Sequence, residues 1–166
     1  MGEDWVRTGV RWTHRPTDRG RRRAARAGVE EREGALQRAP LFAGLPRRHV
    51  RALARATGVA DYDAGEVVVR EGVKGSVFYV ILEGSVRVVR KGRTLARLGK
   101  GDFFGELSLI DGGPRTADVV TEGPSRLLTL SRTEFRKLLS SEPAMAVRML
   151  EAMADRIRKL ERPPAG

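Results

Sequence analysis

Between residues 59 and 130 the apolar positions come in short bursts, each closed by a glycine turn. Val67-Val68-Val69, Phe78-Tyr79-Val80-Ile81-Leu82 and Val86, Val88 and Val89 are rich in the β-branched and aromatic residues that suit a pleated surface. The pattern predicts strands over Glu66–Arg70, Val77–Leu82, Ser85–Arg90, Thr94–Leu98, Thr116–Thr121 and Ser125–Leu130. Turns fall at Ala64-Gly65, Glu71-Gly72, Glu83-Gly84, Lys91-Gly92 and Gly99-Lys100-Gly101-Asp102. Many short strands at this spacing predict a mainly β fold, an antiparallel sandwich or jelly-roll barrel.

On both sides of the barrel the period changes to that of a helix. Pro46 is placed to start one, with Val50, Leu53, Ala54 and Thr57 as its inward stripe and His49 on the wet face, without a chemical role. Ser131-Arg132-Thr133-Glu134 has the form of a helix N-cap, leading through Phe135, Leu138 and Leu139. Pro143 opens a second helix to about Arg162, where Pro163-Pro164 stops it. Along this helix Ala146, Leu150, Met153, Ile157 and Leu160 alternate four and three apart, a seam that either packs on its own domain or pairs two copies of the chain. The expected domain is residues 41–162, opening at Leu41-Phe42, with the barrel at about 59–130, C-terminal helices at about 132–162 and a tail at 163–166.

Charge changes the picture at the N-terminus. The formal net charge is +11 and comes mostly from arginine, including Arg7, Arg11, Arg15, Arg19, Arg21, Arg22, Arg23 and Arg26 within residues 1–40. So few apolar residues accompany them that the segment cannot offset its ordering entropy. Met1–Gly20 is expected to be disordered and Arg21–Gln37 a weak helix at best. The arm is a candidate for binding nucleic acid or acidic lipid, with Trp5 and Trp12 available for stacking or anchoring; a solvated tail is the bland alternative. There is no cysteine, which excludes disulfides, thiolate metal sites and a cysteine nucleophile. No apolar run approaches membrane-spanning length, and a cytoplasmic protein is expected.

The candidate chemistry lies in Phe104-Gly105-Glu106-Leu107-Ser108-Leu109-Ile110, followed by Gly113-Pro114-Arg115-Thr116-Ala117-Asp118-Val119. Gly105 lets another group approach the backbone, and Glu106–Leu109 suits a single helical turn whose free N–H groups attract an anion. Arg115 follows a Gly-Gly-Pro turn that can swing it over the same spot, and its guanidinium can grip phosphate oxygens through two parallel bonds. Glu106 is misplaced beside a bare phosphate unless the ligand also carries hydroxyls to donate to it. Phosphate and ribose together describe a nucleotide.

These residues resemble the phosphate-binding cassette of the cyclic nucleotide-binding domain, as found in protein kinase A regulatory subunits, cyclic-nucleotide-gated channels and bacterial catabolite-activator proteins. Leu-Phe-x-x-Leu at Leu41 and the glycines Gly65, Gly72, Gly84, Gly101 and Gly105 are also similar to the family's, so the resemblance runs from Leu41 to about Leu160. It implies that Glu106 accepts the ribose 2′-hydroxyl, that Arg115 pairs with the cyclic phosphate, and that the Gly105–Ser108 backbone completes the cradle beside Thr116 and Ala117. It further implies that the C-terminal helix acts as a lid over the purine, as a dimerisation element, or both, with Val69, Leu95, Met149 and Met153 as base-side candidates. Arg115-Thr116-Ala117 resembles cassettes of cGMP-dependent kinases, although some cAMP-binding channels carry the same triplet; a bacterial-looking composition favours cAMP over cGMP. Asp118 departs from the small hydroxyl or apolar residue often found there; strand alternation from Thr116 allows it to share the ligand side, and if it faced the phosphate, repulsion would weaken binding.

A jelly roll is also the frame of metal-binding cupins, but that chemistry needs several histidines on the strands, and the only histidines are His14 in the arm and His49 on a helix. Ser108 has no histidine to activate it. No catalytic residue, metal or cofactor is therefore expected. No helix-turn-helix follows the C-terminal helix, so the expectation is a regulatory sensor passing occupancy to an unidentified effector protein. The alternatives are a degenerate docking scaffold and a nucleic-acid-binding protein working through its arm.

Overall fold

The computed structural model describes residues 28–162; the arm through residue 27, with Trp5, Trp12 and His14, and the tail 163–166 lie outside the described residues. The elements run α1 (Val29–Arg38), a 3-10 turn (Pro40–Phe42), α2 (Arg47–Ala56), β1 (Gly58–Tyr62), β2 (Val67–Val69), β3 (Val77–Glu83), β4 (Val86–Arg90), β5 (Arg93–Leu98), β6 (Phe103–Phe104), α3 (Glu106–Asp111), β7 (Asp118–Thr121), β8 (Ser125–Ser131), α4 (Arg132–Ser141) and α5 (Pro143–Glu161).

The strands form two four-stranded antiparallel sheets, ordered β1-β8-β3-β6 and β2-β7-β4-β5, the jelly-roll arrangement that the turn spacing predicts. Strand β3 explains its own unbroken apolar run, because both of its faces are buried. Phe78 and Val80 join Leu128, Leu130 and Phe103 in a core shared with the helices, while Tyr79 and Ile81 join Leu127, Phe104, Val68 and Val119 between the sheets. Two strands escape the sequence pattern. β1 is short and interrupted by Asp61, whose carboxylate accepts from Arg126 Nε of β8 at 2.8 Å. β6 is two residues long.

Helix α1 corrects the expected domain opening at Leu41. Leu36 is fully buried in the helical core, and three ion pairs hold the rest of the helix: Arg126 Nη1 reaches Glu31 Oε1 at 2.5 Å, Arg47 Nε reaches Glu33 Oε1 at 3.3 Å, and Arg51 Nε reaches Glu33 Oε2 at 3.9 Å. Amphipathicity is weak here, and partners distant in sequence replace it. His49 is not merely wetted: its Nδ1 meets the carboxylate of Glu142 at the α4–α5 junction. The N-cap at Ser131 forms as predicted, its hydroxyl accepting from Glu134 N at 3.3 Å. Among the described residues no helix is long and apolar enough to cross a membrane.

Candidate functional site

Strand β6 delivers the chain to Gly105 at φ +89°, a left-handed conformation that only glycine adopts without strain, and α3 starts on the next residue. Phe104 fixes this corner by stacking on Tyr79, with ring centroids 4.9 Å apart. The helix buries Glu106, Ser108 and Leu109, leaves Leu107 and Ile110 exposed, and ends at Gly112, which is left-handed again at φ +73°.

Arg115 is brought to the same corner from the far side of the turn. Its main chain is clamped to the loop between β2 and β3, with Arg115 N donating to Val73 O at 2.9 Å and Gly72 N donating to Arg115 O at 2.8 Å. Its side chain, 7 % exposed, donates from Nη1 to Gly105 O at 2.9 Å and from Nη2 to Val77 O at 2.7 Å. The guanidinium lies against the Gly75 main chain so closely that a Cβ there falls inside 3.0 Å of its Nε, Cζ and Nη2. Two carbonyls therefore fix the plane of the group while further N–H donors remain for a ligand. Burial pulls the Arg115 pKa below its ordinary value, and the neighbouring Tyr79 and Glu106 oppose that pull.

Glu106 is only 5 % exposed, and burial pushes its carboxyl pKa up. The strongest opposing influence is Arg156 of α5, with Arg115 contributing less. Arg156 Nη1 donates to Glu106 Oε1 at 3.1 Å, Nη2 donates to Phe103 O, and the guanidinium sits 4.4 Å from the centre of the Phe103 ring.

These groups open onto a cavity of about 800 Å³ between the β2-β7-β4-β5 sheet, the cassette and α5. Every cassette residue expected at the site lines it: Gly105, Glu106, Leu107, Ser108, Arg115, Thr116 and Ala117. Of the base-side candidates, Val69, Leu95 and Met153 line the cavity, but Met149 does not. Met149 is 2 % exposed within the helical core, facing away from the cavity that its neighbour Arg148 lines. The C-terminal seam divides in the same way. Met153, Ile157 and Leu160 line the cavity, while Leu150 turns outward at 64 % exposed and Ala146 stays partly buried.

Asp118 corrects a second expectation. It lies off the cavity and accepts from Glu71 N at 2.7 Å, pinning the loop after β2. Strand β7 begins at Asp118, so alternation counted from Thr116 has no force. Two residues of the site escape sequence reasoning. Gly75 is hidden in an ordinary turn sequence, and Arg156 is one of four basic residues on α5; its place one turn after Met153 on the cavity side is the only signal that points to it.

Comparison with known proteins agrees with this geometry. Residues 59–142 match the family model of the cyclic nucleotide-binding domain. The CRP-like cAMP-activated global transcriptional regulator of Mycobacterium tuberculosis is 33% identical over 129 residues, which cover 75% of this chain and 58% of that protein. The chain thus spans little more than half the length of that curated relative. A solved cyclic nucleotide-binding domain from Methylobacillus flagellatus is 30% identical with a TM-score of 0.66, covering 80% of this chain and 79% of that one. The Thermus thermophilus catabolite activator protein is 34% identical with a TM-score of 0.64, covering 72% of this chain and 59% of that one. By the family match and this similarity, the chain belongs to the cyclic nucleotide-binding domain family.

Proposed function

We propose that the cavity binds cAMP and that occupancy is passed to a partner through α5. The observation that carries this reading is the Arg115 guanidinium, held in plane by Gly105 O and Val77 O and facing the same cavity as the buried Glu106 carboxylate. The arginine supplies a bidentate grip for the cyclic phosphate, the carboxylate accepts from the ribose, and the first-turn N–H groups of α3 complete the cradle. The purine then extends toward Val69 and Leu95 on one side and Met153 on the other. Because α5 forms one wall, a ligand that contacts it stabilises the docked position by the difference in affinity between docked and undocked states. No cofactor besides the nucleotide enters this scheme.

Thr116 is exposed at the cavity rim, where its hydroxyl can reach a guanine amino group in a ligand turned that way, which makes cGMP the competing reading. Competition of cAMP and cGMP for the wild type and for Thr116→Ala separates the two. The cAMP reading expects tighter cAMP binding, unchanged by Thr116→Ala. Tighter cGMP binding that the substitution weakens would reverse the assignment. Dimerisation through α5 rests on the outward-turned Leu150, 64% exposed, and on Ile157, which lines the cavity but stays 55% exposed. If it occurs, Leu150→Asp with Ile157→Asp halves the sedimentation mass.

A further inference from the structure

A second, smaller cavity lies outside the nucleotide site. It holds about 70 Å³ between α1, the β1-β8-β3 side of the first sheet and the loop joining β5 to β6, and it shares only Gly101 with the larger cavity. A space of this size takes a few water molecules or one small ion. Its charged lining is four cations, Arg32, Arg38, Lys100 and Arg126, against two carboxylates, Glu31 and Glu83.

The sequence of α1 builds half of this wall. Arg32, Ala35 and Arg38 are spaced three apart and share one face of the helix, and the small alanine between the two arginines leaves the space that a longer side chain would fill. Gly34 lets the Arg38 guanidinium fold back along the helix, since a Cβ there would lie 3.2 Å from Arg38 Nη1. Lys100 comes from the other side, on a loop pinned to β3: Gly101 N donates to Ile81 O at 2.8 Å and Ile81 N donates to Asp102 O at 2.9 Å.

The four cations are not equivalent. Arg126 is neutralised, with its Nε on Asp61, its Nη1 on Glu31 and Glu83 close enough to add to the field. The side chains of Arg32, Arg38 and Lys100 have no hydrogen-bond or ion-pair partner among the described residues. For Arg32 this is costly, because its Nε is buried from solvent and finds no acceptor. Three unpaired cations around one small cavity raise a positive potential that draws an anion in. A phosphate group fits the donors best: its several oxygens can meet two guanidinium forks from α1 and an ammonium from the loop at once.

We propose that this cavity is an oxyanion site that takes one phosphate group, free or at the end of a phosphomonoester, between Arg32 and Arg38 of α1 and Lys100 of the β5–β6 loop. The site is independent of what the larger cavity binds. A bound phosphate ties α1 to the barrel at the loop whose Gly101 also walls the larger cavity.

The test follows the Arg32 Nε–H resonance by nitrogen-proton NMR in the full chain, identified by its disappearance in Arg32→Met, as sodium phosphate replaces sodium chloride at constant ionic strength. Because the probe is Arg32 itself, phosphate held by Arg115 does not register as binding here. The proposal expects a saturable shift with a midpoint of roughly 1 mM or tighter. Lys100→Gln and Arg38→Gln, both at exposed positions, should weaken it roughly 10-fold. Arg93→Gln, which removes the same charge from an exposed position on β5 lining neither cavity, should change it by less than about two-fold. Sedimentation with phosphatidylcholine vesicles, with and without phosphatidic acid, distinguishes the two sources of the group. Binding to the phosphatidic acid vesicles that Lys100→Gln weakens and Arg93→Gln preserves assigns the phosphate to a lipid headgroup; a saturable phosphate shift without that dependence assigns it to a soluble ligand. No shift, a shift that never saturates, or one that Arg93→Gln weakens as much as Lys100→Gln reduces the cluster to bulk positive charge and overturns the proposal.

Discussion

Replacing Gly75 with alanine should separate ligand affinity from stability. The new methyl falls inside 3.0 Å of three atoms of the Arg115 guanidinium, closer than van der Waals contact allows. Gly75 is not in the left-handed region, so alanine suits the backbone and the only conflict is with the far end of a flexible side chain. Arg115 escapes by leaving its seat, giving up Gly105 O and Val77 O and finding water instead. For folding the exchange nearly balances: about 1–2 kcal/mol of lost hydrogen bonding is set against about 0.4–1 kcal/mol gained by stiffening the unfolded chain. For binding it does not balance, because a displaced guanidinium no longer meets the phosphate. Two charge-assisted bonds imply a loss of about 2–4 kcal/mol, or roughly 30- to 1000-fold in Kd. The assay pairs urea denaturation with cAMP titration, and Gly99→Ala serves as control because nothing lies within 4 Å of that position. The reasoning is refuted if Gly75→Ala binds as tightly as wild type while Arg115→Ala does not bind.

Other expectations follow from neighbouring contacts. Asp118→Ala removes the acceptor for Glu71 N and should cost about 1–2 kcal/mol in denaturant unfolding while leaving nucleotide affinity within about two-fold. Arg126→Met leaves Asp61 and Glu31 without their shared cation, and a melt should show a loss of about 2–4 kcal/mol. Burial raises the hydroxyl pKa of both Tyr62 and Tyr79 above the ordinary value of 10.0. The unfolded chain then releases these protons first as pH rises through about 10, so stability falls above that value, and Tyr62→Phe should flatten the alkaline limb of a pH-stability curve.

The legible parts of this molecule are those whose causes are local. Glycine turns cut β2 to β5 from each other, the Ser131 cap is satisfied three residues away, and the cassette is contiguous, so Glu106 and Arg115 carry their roles within one loop-helix-loop. What sequence reasoning missed depends on partners brought in by the fold. Helix α1 is held by Leu36 in the core and by ion pairs to Arg126, Arg47 and Arg51. Met149 and Met153 sit one turn apart on the same helix, yet the first is fully inside the core while the second packs against that core and also lines the cavity. The side taken by Asp118 is not fixed by alternation from Thr116, because the strand begins only at Asp118. Gly75 and Arg156 act on Arg115 and Glu106 across 40 and 50 residues of chain, a relation that no window of sequence contains.

The central claim is that Arg115 and Glu106 together seat a cyclic nucleotide. Calorimetric titration of cAMP into the wild type, Arg115→Ala and Glu106→Ala tests it most directly. The account predicts saturable binding at micromolar or tighter Kd in the wild type, loss of measurable binding in Arg115→Ala, and a weakening of roughly 10-fold or more in Glu106→Ala. No heat and no thermal shift with wild-type protein, or binding that survives Arg115→Ala unchanged, would contradict it.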